Sequence, residues 1–463
     1  MTNVKIPSSF RDPSGFIFLK DNTFYRQVNI SYKKNYDLLI KSGLFKALVN
    51  SDLMVAHKEV SIKYAKSDNA YKVIKPEFIP FISYPYEWSF SQLKDAALIT
   101  LKIQKIALDH GMSLKDCSAY NVQFRKGKPI FIDTLSFEKY IEGKPWVAPY
   151  RQFCRHFLTP LSLMTYTNIN LNKLFQVYID GIPLDLASSL LPFRTYFKGP
   201  LFFHIHLNAK LQSKSLSKIL DKMDQKMSRQ EVLDIINKLE SAIEKMRWRP
   251  RGTVWADYYT ASDCANYSPT AFNHKKLLIS KFLDKIKPKT VLDLGANIGV
   301  FSRIASDKGI LTISVDNDPA AVEKNYLECV KRGETNILPL LIDLKNPSPN
   351  IGWDNKERTS FLRRIHVDTI LALALIHHLA FSNNVPLEGI ANFFNKICNS
   401  LIIEFIPKSD SNTKRLLKGR EDIFTDYNQQ LFENKFKKYF TILDSQKIKD
   451  SLRTLYLMKR KKT

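Results

Sequence analysis

Apolar and polar positions follow two different rhythms along the chain, and the change falls near residue 250. Beyond it the pattern is regular. A helical stretch at His274–Ile286 leads into the strand TVLDLG and the helix GVFSRIASDK, and the strand LTISVD precedes the helix PAAVEKNYLECVKRG. ILPLLID, VDTILALAL and SLIIEFIP read as further strands, separated by a loop and by a helix over Pro386–Ser400. Nearly unbroken apolar strands alternating with helices predict a parallel sheet covered on both faces. FTILDSQKI and TLYLMKR break the alternation, because no long helix parts them, and predict an antiparallel final hairpin.

The first half is less regular. GFIFLKDNTFYRQV alternates on either side of Asp21-Asn22, as in a two-residue hairpin. A helix follows near Tyr36–Val49, then apolar strands around Lys72–Ile82. Leu93, Ala97, Leu101, Ala107 and Leu108 mark a helix over Ser91–Asp109 that ends at His110-Gly111. NVQFRKGKPIFID reads as two short strands around a basic, Gly-containing turn. From about Tyr150 to Met246 the pattern is mainly helical, with breaks near Pro183, Pro192 and Pro200. RWRPRG, at Arg247–Gly252, is the best boundary, which gives domains 1–246 and 247–463.

Composition narrows the class. A chain of 463 residues with 44% hydrophobic content is globular and too long for one ordinary core. Cys117, Cys154, Cys264, Cys329 and Cys398 are scattered and odd in number, with no C-x-x-C spacing. This argues against a disulfide framework or a structural zinc; no metal site is expected, and the location expected is cytoplasmic. The N-terminus lacks the apolar core of a signal peptide, and the apolar run Thr369–Phe381 is too short to span a bilayer. The net charge of +25 fits either a lysine-rich solvated surface or a polyanionic partner; a nucleic acid is possible but not favoured.

The chemistry gathers in VLDLGANIGVFS, Val291–Ser302. A strand delivers Asp293 and Gly295 to a tight turn through Ala296 and Asn297, and Gly299 opens the next helix. An acid beside the loop suits a cationic or hydroxyl-rich ligand better than a phosphate. This motif resembles that of class I S-adenosylmethionine (SAM)-dependent methyltransferases. A dinucleotide-binding domain is the rival, and later spacing decides between them. Asp316, followed by Asn317, ends the second strand, where the resemblance implies a carboxylate for the ribose hydroxyls. Asp343 and Leu344 end the third, where it implies contacts to the adenine. Acids at three successive carboxyl ends lie where ligands of such sheets bind. The resemblance is nearest to bacterial methyltransferases of the nodulation and surface-saccharide type, and it implies SAM as cofactor.

His377 and His378 follow the fourth strand and Glu404 ends the fifth, at the edge where a methyl acceptor would sit. Either histidine is a base for the acceptor or a structural ring; Glu404 is a second acid–base or orienting candidate. The absence of an Asn/Asp-Pro-Pro-aromatic motif tilts the acceptor towards a hydroxyl or a non-base amine of a glycan, small molecule or protein. RNA methylation stays as an alternative. The aromatic stretch Trp255–Pro269 is either a flap over the cofactor or a packed strap, with Tyr258, Tyr259 and Tyr267 as the residues to test.

In LKDCSAYNVQFRKGKPIFID, the spacing of Asp116, Asn121 and Asp133 resembles the catalytic and metal loops of protein kinases and aminoglycoside phosphotransferases. Leu114 stands in place of the usual histidine, DTL replaces the family's Asp-Phe-Gly, and no glycine-rich nucleotide loop is present; Lys58 is the guess for the phosphate lysine. The expected architecture is therefore α/β: a Rossmann-like seven-stranded methyltransferase sheet with an antiparallel last strand, preceded by an α+β kinase-like domain. That first domain is expected to be degenerate and to serve the acceptor; a bifunctional enzyme with ATP-dependent phosphotransfer is the alternative.

Overall fold

Turn chemistry and helix caps set the elements of the first half. The computed structural model describes residues 3–213, 226–253, 255, 267–418, 423–424 and 427–461. Internal contacts divide the chain into two units, Met1–Trp248 with Asn350–Thr359, and Arg249–Pro349 with Ser360–Thr463. Strands β1 (Asn3–Lys5), β2 (Gly15–Lys20), β3 (Thr23–Asn29), β4 (His57–Val60) and β5 (Ala70–Pro76) form an antiparallel sheet in the order β1-β2-β3-β5-β4. Asp21 and Asn22 both have positive φ, the geometry that a two-residue hairpin turn requires. The expected helix near Tyr36–Val49 is two helices, Lys33–Lys41 and Leu44–Asn50, parted by Gly43 in the left-handed region. Only one strand, β5, forms in the stretch expected to hold several.

The long helix Phe90–Asp109 starts at a capping box in which Ser89 and Gln92 satisfy each other's backbone N–H groups. It buries Leu93, Ala97, Leu101, Ala107 and Leu108, the positions its periodicity marked. Short strands follow: β6 (Met112–Leu114), β7 (Val122–Arg125), β8 (Lys128–Phe131) and β9 (Phe137–Lys139), paired β6 with β9 and β7 with β8. The segment 350–359, which a cut at 246/247 would assign to the second domain, belongs to the first unit. Its buried Glu357 pairs with Arg11 at 2.6 Å, and the Arg358 guanidinium lies 4.1 Å from the centre of the Tyr120 ring.

The second unit holds β10 (Thr290–Leu294), β11 (Leu311–Asp316), β12 (Ile337–Leu341), β13 (Val367–Ala372), β14 (Cys398–Phe405), β15 (Phe440–Lys447) and β16 (Thr454–Arg460). Their order is β12-β11-β10-β13-β14-β16-β15. The first five are parallel, and β16 runs antiparallel to both β14 and β15. The helix Leu387–Ile397 turns Leu387, Ile390, Ala391, Phe394 and Ile397 inward, one stripe at helical spacing. On one face of the sheet Val291, Leu371, Ile402 and Leu457 pack with Ile279, Phe282 and Leu283 of the helix Pro269–Ile286. The apolar runs of β10–β14 are buried because helices cover both faces, and this leaves the strand ends as the place for polar chemistry. Among the described residues no helix is long and apolar enough to cross a membrane.

Candidate active site

Parallel strands all end on one side, so the polar residues that terminate β10, β11 and β12 converge. The turn after β10 needs left-handed backbone at Gly295, Asn297 and Gly299. Glycine meets this freely and asparagine tolerates it. A Cβ at Gly299 would also collide with Asn325 and Arg303. Asp293 is buried, accepts a 2.6 Å hydrogen bond from the Ser302 hydroxyl, and has its carboxyl pushed up to about 7, chiefly by burial. Asp316 accepts the Asn297 N–H at 2.8 Å and the Asp318 N–H at 2.9 Å. Burial holds its carboxyl at about 6 despite those bonds. Two carboxyls raised in this way are poised for a ligand that brings positive charge or hydroxyl donors.

They border a cavity of about 300 Å³ whose walls include Gly295, Asn297, Asn317, Asp343, Leu344, Trp255 and His378. Of the residues that sequence reasoning singled out for the cofactor, Asp293, Gly295, Asn297, Asp316, Asn317, Asp343 and Leu344 line this space. Ala296 and Gly299 do not: Ala296 donates its N–H to the Val315 carbonyl, and Gly299 packs against Asn325.

The catalytic candidates separate. His378 lines the cavity, with its ring edge-on to Trp255 at 5.2 Å and its pKa drawn down by burial to about 4. His377 lies where the structural alternative would put it. It is buried outside the cavity lining, its Nδ1 has no hydrogen-bond partner among the described residues, and burial holds its ring neutral. Of the acid–base and orienting alternatives for Glu404, its surroundings fit the orienting one, as a buried counter-ion. It receives the Lys275 ammonium at 2.7 Å, the Ala374 N–H at 2.8 Å and the Tyr267 hydroxyl. Against the effect of burial, Lys275 and Arg453 draw its carboxyl down to about 2, so it has no proton to exchange near neutrality. Its bond to Ala374 braces a residue with φ of 48°, a left-handed kink that costs a non-glycine residue on the order of 1 kcal/mol. That kink ends β13 and leads into the turn carrying His378.

Sequence reasoning missed the rest of this network. Lys275 comes from the helix Pro269–Ile286. Arg453, just before β16, donates to Tyr267 Oη at 2.6 Å and to Asp410 at 2.8 Å. Neither position carries a local signal, since a lysine or an arginine in sequence reads as surface. Of the aromatic stretch, Trp255 and Tyr267 are both at the cavity; Asn297 Nδ2 donates to the Trp255 carbonyl at 2.9 Å. Tyr258 and Tyr259 lie outside the described residues.

In the first unit Asp116, Asn121 and Asp133 come from consecutive short elements. Asp133 accepts from the Arg26 guanidinium, the Leu135 N–H at 2.9 Å and the Ser136 hydroxyl at 2.6 Å. Burial pushes its carboxyl up, but Arg26 and these donors more than offset this and hold it below the usual range. Asn121 Nδ2 donates to Ser136 Oγ at 3.2 Å. Asn121 and Asp133 are thus joined through Ser136, and Asp133 is paired with a cation of the chain, a poor fit to magnesium. Lys58 is corrected as well: it is exposed on the edge strand β4, opposite Lys75, whereas the base facing Asp133 is Arg26 on β3.

A mostly parallel sheet with an antiparallel terminal hairpin, and an acid-lined cavity at its carboxyl edge, define the second unit as an α/β fold of the class I methyltransferase type. No protein-family model matches the sequence. The chain belongs to the family of nodulation protein NoeA: it is 34% identical to NoeA of Rhizobium meliloti (strain 1021) over 464 residues, 98% of this chain and 96% of that protein. Solved structures similar to it include the bifunctional kinase-methyltransferase WbdD, at 12% identity and a TM-score of 0.30, covering 41% of this chain and 39% of WbdD. The N-methyltransferase NodS from Bradyrhizobium japonicum WM9 in complex with S-adenosyl-l-homocysteine matches at 11% identity and a TM-score of 0.32, covering 44% of this chain and 94% of NodS. At these scores the likenesses carry no argument about function.

Proposed function

We propose that the chain is a SAM-dependent methyltransferase whose acceptor is a hydroxyl or a non-base amine of a glycan, small molecule or protein. The observation that carries this reading is the pair of buried carboxyls, Asp293 and Asp316, on one cavity at the carboxyl edge of the sheet, both raised by burial and so ready to take up positive charge or hydroxyl donors. SAM, when bound, supplies an activated methyl group on a sulfonium. Asp293 would accept its ammonium and Asp316 its ribose hydroxyls, while Asp343 and Leu344 would border the adenine. His378 would receive a hydrogen bond from the acceptor: with a pKa near 4 its ring is neutral at physiological pH. Trp255 would close the space around it. Methyl transfer needs alignment more than strong acid–base help, and a neutral imidazole beside a rigid aromatic wall suits that task. A kinase-like origin of the first unit, retained for the acceptor and not for phosphoryl transfer, is part of the same reading, and the Arg26–Asp133 pair supports it. Through the relationship to NoeA, a role in nodulation is proposed too.

Isothermal titration of the full chain with SAM and with S-adenosylhomocysteine tests the cofactor. Saturable binding that Asp316→Ala weakens at least about tenfold is expected, since a hydrogen bond to a charged group contributes about 1.5–3 kcal/mol. No binding by the wild type, or undiminished binding by the variant, overturns the assignment.

A further inference from the structure

The first unit holds a stretch whose polarity is inside out. In Pro192–Leu207, Phe193, Phe197 and Phe203 are 74%, 78% and 60% exposed, while Thr195 and His206 are fully buried. The inward polar groups satisfy one another. His206 Nε2 pairs with Thr195 Oγ1 at 2.8 Å and Nδ1 with Ser188 Oγ at 2.8 Å, and its ring stacks on Tyr196 at 3.8 Å. Thr195 Oγ1 also caps the Pro192 carbonyl at 2.7 Å. This frame fixes the turn Phe193–Phe197 with its phenylalanines outward; the Phe193 and Phe197 rings meet edge to face at 5.4 Å. Folding gains nothing from large apolar rings in water, and the paired rings of Phe193 and Phe197, with exposed Phe203 in the same stretch, mark a surface made to meet something apolar.

The charges around the rings identify the partner. Arg194, Lys198 and Lys210 are exposed, and between Asp185 and Asp221 the sequence contains no aspartate or glutamate. A stretch of aromatic rings interleaved with bases, with no acid of its own, matches an anionic bilayer surface, where phosphates meet the bases and the acyl boundary receives the rings. Because no described helix can cross a membrane, the contact is one of lying on the surface. We propose that Phe193, Phe197 and Phe203, with Arg194 and Lys198, dock the protein on the headgroup layer of an anionic membrane. The surface is independent of the methyltransferase reading.

Co-sedimentation of the full chain with vesicles tests it, comparing phosphatidylcholine containing about 30% phosphatidylglycerol with phosphatidylcholine alone. Binding is expected to the anionic vesicles and to fall as salt rises. It should drop at least about tenfold for Phe193→Ser/Phe197→Ser/Phe203→Ser and for Arg194→Glu/Lys198→Glu. The substituted side chains are exposed, so thermal melts should match the wild type. Phe197→Trp gives a direct reading: its emission should shift to the blue on anionic vesicles and be quenched by brominated lipid. Unchanged Phe197→Trp emission, or full vesicle binding by the triple serine variant, overturns the proposal. So does a wild type that ignores vesicles and self-associates through this face, becoming monomeric in the triple variant by light scattering.

Discussion

In its ionised form Asp293 opposes folding, and that form is the one proposed to meet the ligand cation. Burial pushes it from an ordinary 3.8 up to about 7. The fold thus prefers it protonated: its contribution to stability is in full below about pH 3.8 and is lost as pH rises through about 7. At about 1.4 kcal/mol per pH unit, that interval caps the neutral-pH cost at about 4 kcal/mol. Partial relaxation leaves on the order of 1–3 kcal/mol. Asn at this position keeps an oxygen for the Ser302 hydroxyl and carries no charge. Asp293→Asn should therefore raise the melting temperature at pH 8 by several degrees, about 2–4 °C per kcal/mol for a unit of this size, and the gain should vanish below about pH 4. The same substitution removes the proposed partner of a ligand cation, so SAM affinity at pH 8 should fall by roughly 10–150-fold. In the wild type, affinity should weaken about tenfold per pH unit below about 7, with proton release on binding, and steepen below about 6 as Asp316 joins. Calorimetry in buffers of different ionisation enthalpy counts those protons, and melts by scanning calorimetry measure the stability. A variant that is less stable than wild type at pH 8, or that keeps the wild-type break near pH 7 in SAM affinity, would refute the reasoning.

Three further outcomes follow from the same geometry. His378→Ala should lower kcat by about 10²-fold with SAM affinity little changed, because it acts on the acceptor; with SAM saturating, the wild-type rate should show no histidine inflection between pH 5 and 8, measured by methyl transfer to the acceptor once found. Glu404→Gln leaves Lys275 and Arg453 buried with one anion fewer and should cost about 3–5 kcal/mol in urea unfolding, while Glu404→Met with Lys275→Met should recover much of it. The stabilisation from Glu404 is present above about pH 4.5 and lost as pH falls towards about 2, so the Gln variant's deficit should shrink in acid. Asp133 is taken by Arg26, so the wild type should not bind manganese at the first-unit site by electron paramagnetic resonance, and Arg26→Ala should create or strengthen that binding; strong wild-type binding abolished by Asp133→Ala would revive the phosphotransfer alternative.

Much of this was legible from residue order. The runs that became β10–β14 are apolar throughout because both sheet faces are covered, and the acids at their ends stand out against that background. Asp21-Asn22 announced its hairpin through backbone preference, and Leu93, Ala97 and Leu101 announced the long helix through their spacing. These are local effects, settled within a few residues by sterics, hydrogen bonding and periodicity. His377 and His378 show the limit of such reasoning. Adjacent in sequence, they part because the kink at Ala374, held by Glu404, sends one ring to the cavity wall and buries the other. The network behind that kink joins Lys275 to Glu404 across 129 positions and Tyr267 to Arg453 across 186. Arg26 and Asp133 likewise meet only when β3 and the loop after β8 are assembled. Residue order determined the strands of the parallel sheet, its carboxyl edge and the acids on it, because side-chain period and turn preference act along the chain. Which acids keep a proton, which are neutralised and which histidine faces the cavity was decided by the tertiary structure alone, because desolvation and ion pairing depend on what packs around a charge in space.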